Sequence, residues 1–260
     1  MSFINIYNHS IDDFLVRNSG DYYSPPFRYF NLGDEIMSIH DPKIKKIRDQ
    51  KLIVGGGALT GMVERFDLKQ TFKNNFTISW AIGGDNRVTD NDNLQYIDSE
   101  DNLGSSWETC AVNSSRIWNS QYTYVPCASC MHKSFNIFKD KKPNKKIGIY
   151  HHWRKPINAL DSNIDSITNQ GLNIDEKLEF LSNYEVIITN AYHGLYWATL
   201  LNKKVIVYPS KSGLFTLKYK PKYYNKYDVI NDDYISSLSN YPSSLDECRE
   251  INHMYYKKII

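Results

Sequence analysis

No apolar run in this chain of 260 residues reaches the roughly 18 residues that a membrane-crossing helix needs. The N-terminal stretch MSFINIYNHSIDDF has neither the basic start nor the apolar centre of a secretory signal, so a cytoplasmic location is expected. Cysteine is scarce: four residues in 260 do not make a disulfide scaffold, and a reducing compartment is the default. Neither charge dominates. With 31 Lys and Arg against 29 Asp and Glu, the net charge of +2 excludes the strongly basic field of a nucleic-acid binder. Internal repeats and low-complexity linkers are absent, and 41% hydrophobic with 23% charged residues excludes wholesale disorder. Tyrosine is in excess, at 20 residues, and no function follows from that bias. The length suits two compact α/β halves or one large domain.

Short apolar runs recur, each closed by Gly or a polar turn. Phe3 to Tyr7, Lys51 to Val54, Phe76 to Ile82, Lys146 to Tyr150, Glu185 to Thr189 and Lys204 to Tyr208 read as strands. Amphipathic stretches between some of them give the pattern of parallel βαβ units. The clearest helix runs from Asp175 to Asn183, capped by Asn173 or Asp175, with Leu178 and Leu181 on one face. The polar, Pro-broken segment 138–146 is the best interdomain linker. It divides the chain into an N-terminal half (1–143, acceptor side), a C-terminal half (144–233, donor side) and a helical C-terminal segment (234–260) that packs back on the first half.

The run from Thr189 through His193 and Gly194 to Leu201 follows a buried strand and opens an apolar helix. His193 therefore stands at a strand C-terminus and a helix N-terminus, where open α/β sheets bind ligands and where anions are favoured. It suits a hydrogen bond to a phosphate or carboxylate, or general acid–base work; a capping or packing histidine is the alternative. Asn190 and Gly194 flank it, Gly194 permitting close approach. Lys211, after the next strand, emerges on the same rim as a candidate cation. His151 and Arg154 close the strand that opens the second half, and Arg154 offers a bidentate fork to an anion. Asp21 and Asp34 lie in two Gly-Asp turns, where either carboxylate is a candidate base toward an acceptor hydroxyl or an ordinary turn residue. The Gly55-Gly56-Gly57 turn is neither a Walker motif nor GxGxxG. Cys127-x-x-Cys130, with His132 and Cys110, supplies metal-ligand types, but only one compact ligand pair, so buried thiols in a tight turn are favoured and no metal is expected.

Taken in order, GDYYSPPFRYF, LIVGGGAL, TISWAIGG, YVPCASCM, KIGIY and VIITNAYHGLYWATLLNKKVIVYP resemble the polysaccharide pyruvyl transferase family over roughly Gly20 to Lys211. The resemblance implies a compact α/β fold of two Rossmann-like halves with parallel sheets, GT-B-like, and the site in the cleft. It also implies transfer of pyruvate from phosphoenolpyruvate, as a ketal, onto a sugar of a cell-surface glycan. His193 and Lys211 match the His and Lys that surround the donor in that family. Two positions depart: the strand opening the second half ends in His151 rather than Arg, with Arg154 three residues on, and Ala191 stands where many members carry Arg.

The expected protein is thus a cytoplasmic transferase of surface-polysaccharide assembly. His193 protonates the donor's enol carbon or binds its phosphate, Lys211, Arg154, His151, Asn190 and Gly194 bind the donor, and Asp21 or Asp34 serves the acceptor. No cofactor or metal is required; phosphoenolpyruvate is a substrate, and the acceptor is a glycan or lipid-linked saccharide. One alternative is a glycosyltransferase with a nucleotide-sugar donor, its base stacked on Tyr192, Trp197 or Phe215. The other is a non-catalytic glycan-binding module with a platform of Tyr219, Tyr223 and Tyr224.

Overall fold

A computed structural model describes residues 2–8, 18–57, 59, 61–83, 105–118, 120–157, 163–208, 217–225 and 228–260. The fold is mixed α/β, with two wholly parallel sheets, each built from a continuous stretch of chain. The first contains β1 (Ile4–Tyr7), β2 (Glu35–Ser38), β3 (Lys51–Gly55) and β4 (Phe76–Trp80), in the order β2-β1-β3-β4. A short parallel pair, β5 (Ser114–Ser115) and β6 (Thr123–Tyr124), continues beside β4 through bridges from Ile78 to Val112 and from Ile82 to Ser115. The second sheet contains β7 (Lys145–His151), β8 (Ser166–Thr168), β9 (Tyr184–Thr189), β10 (Lys204–Val207) and β11 (Lys222–Tyr223), ordered β11-β10-β9-β7-β8.

The central strands follow from their composition. Strands of a parallel sheet covered on both faces need unbroken apolar runs, and Leu52-Ile53-Val54, Val186-Ile187-Ile188 and Val205-Ile206-Val207 are all buried. β2, β8 and β11 escaped the sequence reading because they are short and partly exposed, without an apolar run. β4 stops two residues before the expected Ile82, because Ala81 adopts φ 53° and turns the chain.

Connecting helices are mostly short: α1 (Ser19–Tyr23), α2 (Met62–Arg65), α3 (Lys69–Lys73), α4 (Phe135–Phe138), α5 (Ile174–Asn183), α6 (Tyr192–Leu200), α7 (Asp232–Ser236) and α8 (Ser244–Ile259). In α5, the Asn173 side chain accepts from Glu176 N at 3.2 Å, two acidic residues occupy the first turn, and Leu178 and Leu181 are fully buried. Every residue of α6 from His193 to Leu200 is buried, as suits a helix covered on all sides. α8 ties the two sheets together. Its Ser244 Oγ donates to Thr199 O at 2.8 Å, while Asn252 Oδ1 accepts from Trp80 Nε1 at 2.9 Å and Tyr255 OH donates to Ser79 O at 2.8 Å. Among the described residues no helix is long and apolar enough to cross a membrane.

Candidate functional site

Both sheets wind outward in two directions from an inner pair of strands. β1 has β2 on one side and β3 on the other, and β7 stands likewise between β8 and β9. In open parallel sheets the crevice at the strand C-termini opens at such a switch point. The two switch points are joined here by α1, the first described element after β1 apart from Asn8. Ser19 N and Ser19 Oγ donate to Asn169 O at 2.9 and 3.1 Å, and Tyr23 OH donates to Leu172 O at 2.6 Å, so α1 is docked on the second sheet. Asn18 caps it, accepting from Gly20 N at 3.0 Å and donating from Nδ2 to Asp21 Oδ2 at 3.1 Å. Asp21 Oδ1 lies 3.5 Å from the place a Cβ on Gly57 would take, which puts this carboxylate against the glycine turn after β3.

His193 meets α1 from the other side. Its ring lies directly over Gly20, where an added Cβ would stand 1.9 Å from Nδ1; only glycine leaves room. Nε2 lies 3.0 Å from Ser24 Oγ and 3.5 Å from Cys127 Sγ. The Ser24 hydroxyl donates its proton to Gly20 O at 2.7 Å, so toward His193 it accepts, and Nε2 is the protonated nitrogen. Tyr192 and Trp197 wall the ring at centroid distances of 4.9 and 5.1 Å. Burial first, and then the Arg116 charge, hold the imidazole pKa well below its ordinary value. His193 is thus a neutral, enclosed ring that fastens α6 to α1. This is the packing arrangement that the sequence left open beside an anion-binding or acid–base role.

Arg116 was not legible as a site residue. It follows β5 and its N–H bonds to Ile82 O at 3.1 Å, which places it at the C-terminal edge of the first sheet. Its side chain is 6% exposed. A Cβ on Gly83 would fall 2.3 Å from Nε and 2.4 Å from Nη2, so one side of the guanidinium is pressed against that glycine. Its central carbon sits 3.7 Å from the ring centre of Tyr192, the first residue of α6. Nη1 has no hydrogen-bond partner, and none of the described ion pairs includes Arg116.

The remaining expected residues divide. His151 ends β7 half-buried, with Nδ1 accepting from Ile157 N at 3.3 Å, and burial lowers its pKa. Arg154 is exposed on the following loop, stacked on Trp153 at 4.5 Å. Asn190 does not face a ligand: its Oδ1 accepts from His152 N at 2.8 Å and its Nδ2 donates to Lys155 O at 2.7 Å, so the amide anchors the loop after β7. Gly194 is needed for packing rather than for a donor, since a Cβ there would meet Thr189 Oγ1 at 2.3 Å and Tyr150 Cδ1 at 2.5 Å. Asp34 is exposed and immediately precedes β2, at the N-terminal edge of a parallel sheet, so its expected role toward the acceptor falls away. Lys211 lies outside the described residues, as does Phe215.

Trp197 is buried and donates from Nε1 to Ser129 Oγ at 3.0 Å, which removes it as a base-stacking surface. Tyr219 is buried against Tyr241 and bonds to Glu247, so it does not belong to an open sugar platform. Cys127 precedes a 3-10 turn over Ala128–Met131 that contains Cys130, and all four cysteines are free and buried. Burial pushes the Cys110 and Cys248 thiols up to about 12. Among the described residues no group of three His, Cys, Asp or Glu side chains is gathered as metal ligands would be.

No protein-family model matches the chain, and no curated protein matches it. Among solved structures it is similar to a functionally uncharacterized protein from Klebsiella pneumoniae subsp. pneumoniae NTUH-K2044. The two are 18% identical over 80% of this chain and 84% of that one, with a TM-score of 0.45.

Proposed function

We propose that this protein is a cytoplasmic transferase of surface-polysaccharide assembly that moves a pyruvyl group from phosphoenolpyruvate to a glycan or lipid-linked saccharide. The observation that carries this reading is the junction of the two switch points, where α1 and α6 meet with a buried arginine beside a neutral histidine. A junction of this kind suits a small, compact anion. Ketal formation joins two acceptor hydroxyl oxygens to C2 of the enolpyruvate. One hydroxyl proton ends on the methylene carbon, which becomes a methyl group, and the other leaves with inorganic phosphate.

The chain's own residues take three parts in this scheme. Asp21, facing the Gly57 turn, receives a proton from the acceptor. His193 positions Ser24 and α1, and an anion bound beside it removes the second cause of its depressed pKa, the Arg116 charge, favouring proton uptake when the donor arrives. Arg154, exposed on the loop after β7, supplies a cation to the donor, and Lys211 is the further donor-binding cation that the sequence offers. A nucleotide-sugar donor is second, because the buried Trp197 offers no stacking face.

The test is thermal unfolding of the full chain with phosphoenolpyruvate against a panel of nucleotide sugars. A ligand at a hundred times its Kd stabilises the native state by about 2.7 kcal/mol. Phosphoenolpyruvate is expected to raise the midpoint, and phosphate release with an accepted glycan is expected to follow by 31P NMR. A rise with one nucleotide family alone would replace pyruvyl transfer with glycosyl transfer.

A further inference from the structure

Granting the reading that the junction receives a small anion, we infer that Arg116 is its oxyanion-binding residue, with Nη1 directed to a carboxylate or phosphate oxygen of the bound molecule. Four observations converge on this atom. The side chain is 6% exposed, yet Nη1 is unpartnered, and buried polar groups in folded proteins are nearly always paired. No described ion pair compensates the charge, and an uncompensated buried charge is strongly unfavourable. The contact with the Tyr192 face at 3.7 Å supports the cation but satisfies no N–H. Finally, α6 begins at that same tyrosine, and no side chain caps its N-terminus, so the helix dipole adds to the attraction for negative charge.

The geometry also explains why arginine rather than lysine stands here. Gly83 presses on Nε and Nη2, and the planar fork then leaves one donor, Nη1, fixed in direction. A lysine would keep the charge and lose that direction. Arg116 comes from the edge of the first sheet and Tyr192 from the second, so an anion bound between them would draw the two halves together.

Thermal unfolding of wild type, Arg116→Met and Arg116→Lys, each titrated with inorganic phosphate, phosphoenolpyruvate and UDP, tests the assignment. Without ligand, Arg116→Met is expected to unfold at or above the wild-type midpoint, because an apolar side chain of similar length replaces an unpaired buried charge. The apparent Kd of the responding anion should rise about 10- to 100-fold in Arg116→Met, with Arg116→Lys between the two. Three outcomes overturn the assignment: no anion shifts the wild type, the anion binds Arg116→Met as tightly as wild type, or Arg116→Lys keeps full affinity. If Arg116→Met does not fold, Arg116→Lys decides by the same affinity criterion. A shift with phosphate or UDP but not phosphoenolpyruvate, lost in Arg116→Met, upholds Arg116 while removing the pyruvyl donor.

Discussion

At the N-terminal edge of the second sheet, charges are many and paired; at the C-terminal edge, where the sheet meets α1 and Arg116, the buried Arg116 takes part in none of the ion pairs among the described residues. On the first side Lys145 meets Asp165 at 2.7 Å, Lys204 meets Glu185 at 3.0 Å, Lys141 meets Glu179 at 3.7 Å, and Lys146 pairs with Asp232. A cavity of 520 Å³ opens there, lined by Lys139, Lys141, Lys142, Lys203 and Lys204 beside Asp140 and Glu185. Lys203 is buried in it, but its Nζ is already bonded to Ser182 O and Lys141 O at 2.9 and 3.3 Å. On the other side Arg116 keeps an unpartnered Nη1 beside the neutral His193. The density of charge is therefore a poor guide to a site. A single desolvated cation holds more unmet interaction energy than several screened lysines whose partners are in place.

Three sets of measurements would break or sharpen this contrast. The largest effect is expected at the crowded glycines of the C-terminal edge. Gly194→Ala would set a methyl group 2.3 Å from Thr189 Oγ1, and Gly20→Ala one 1.9 Å from His193 Nδ1. Each should lose about 1–3 kcal/mol or more by overpacking, outweighing the helix advantage of alanine, about 1 kcal/mol. Urea unfolding measures it, and a neutral result at either position would mean that the α1–α6 junction is loose.

The next effect is on pH. In the unfolded chain the imidazole takes up a proton near its ordinary pKa of about 6.5, whereas folded His193 resists protonation until well below that. Stability from this group is thus complete above the ordinary value and falls as the solution is acidified. The slope approaches about 1.4 kcal/mol per pH unit per proton. His40, His132, His151 and His152, also lowered by burial, act with the same sign. His193→Gln should therefore flatten the decline between pH 6.5 and 5 without abolishing it; an unchanged slope would place His193 in water.

The smallest effect belongs to the lysine edge. Lys141→Ala and Lys146→Ala break exposed pairs and should each change stability by no more than about 0.5 kcal/mol, less at high salt. A loss comparable to that of Gly194→Ala would show that this edge, too, depends on fixed charge.

Much of the fold was legible locally. The apolar runs that became β1, β3, β4, β7, β9 and β10 announce buried parallel strands, because such strands need no polar face. Asn173, Glu176, Leu178 and Leu181 specify α5 in sequence order, since capping and amphipathicity act within a few residues. The position of His193 at the end of a strand and the start of a helix was legible for the same reason. Its chemistry was not. Ser24 and Cys127, which face its Nε2, are 169 and 66 residues away in the chain. Asp21 and Asp34 look alike as Gly-Asp turns, and only strand direction separates the one at the junction from the one at the opposite edge.

By itself, then, the sequence determined the six apolar strand segments, the helix α5, the parallel α/β class, and the absence among the described residues of a helix able to cross a membrane. Only the tertiary structure decided that His193 is neutral, that Asn190 and Gly194 serve packing, and that Arg116, one arginine in the polar stretch Asn113-Ser114-Ser115-Arg116, is the buried cation of the junction. The reason is physical: propensity, capping and hydrophobic period are set by neighbours in the chain. Desolvation and charge compensation are set instead by whatever the fold brings within a few ångströms.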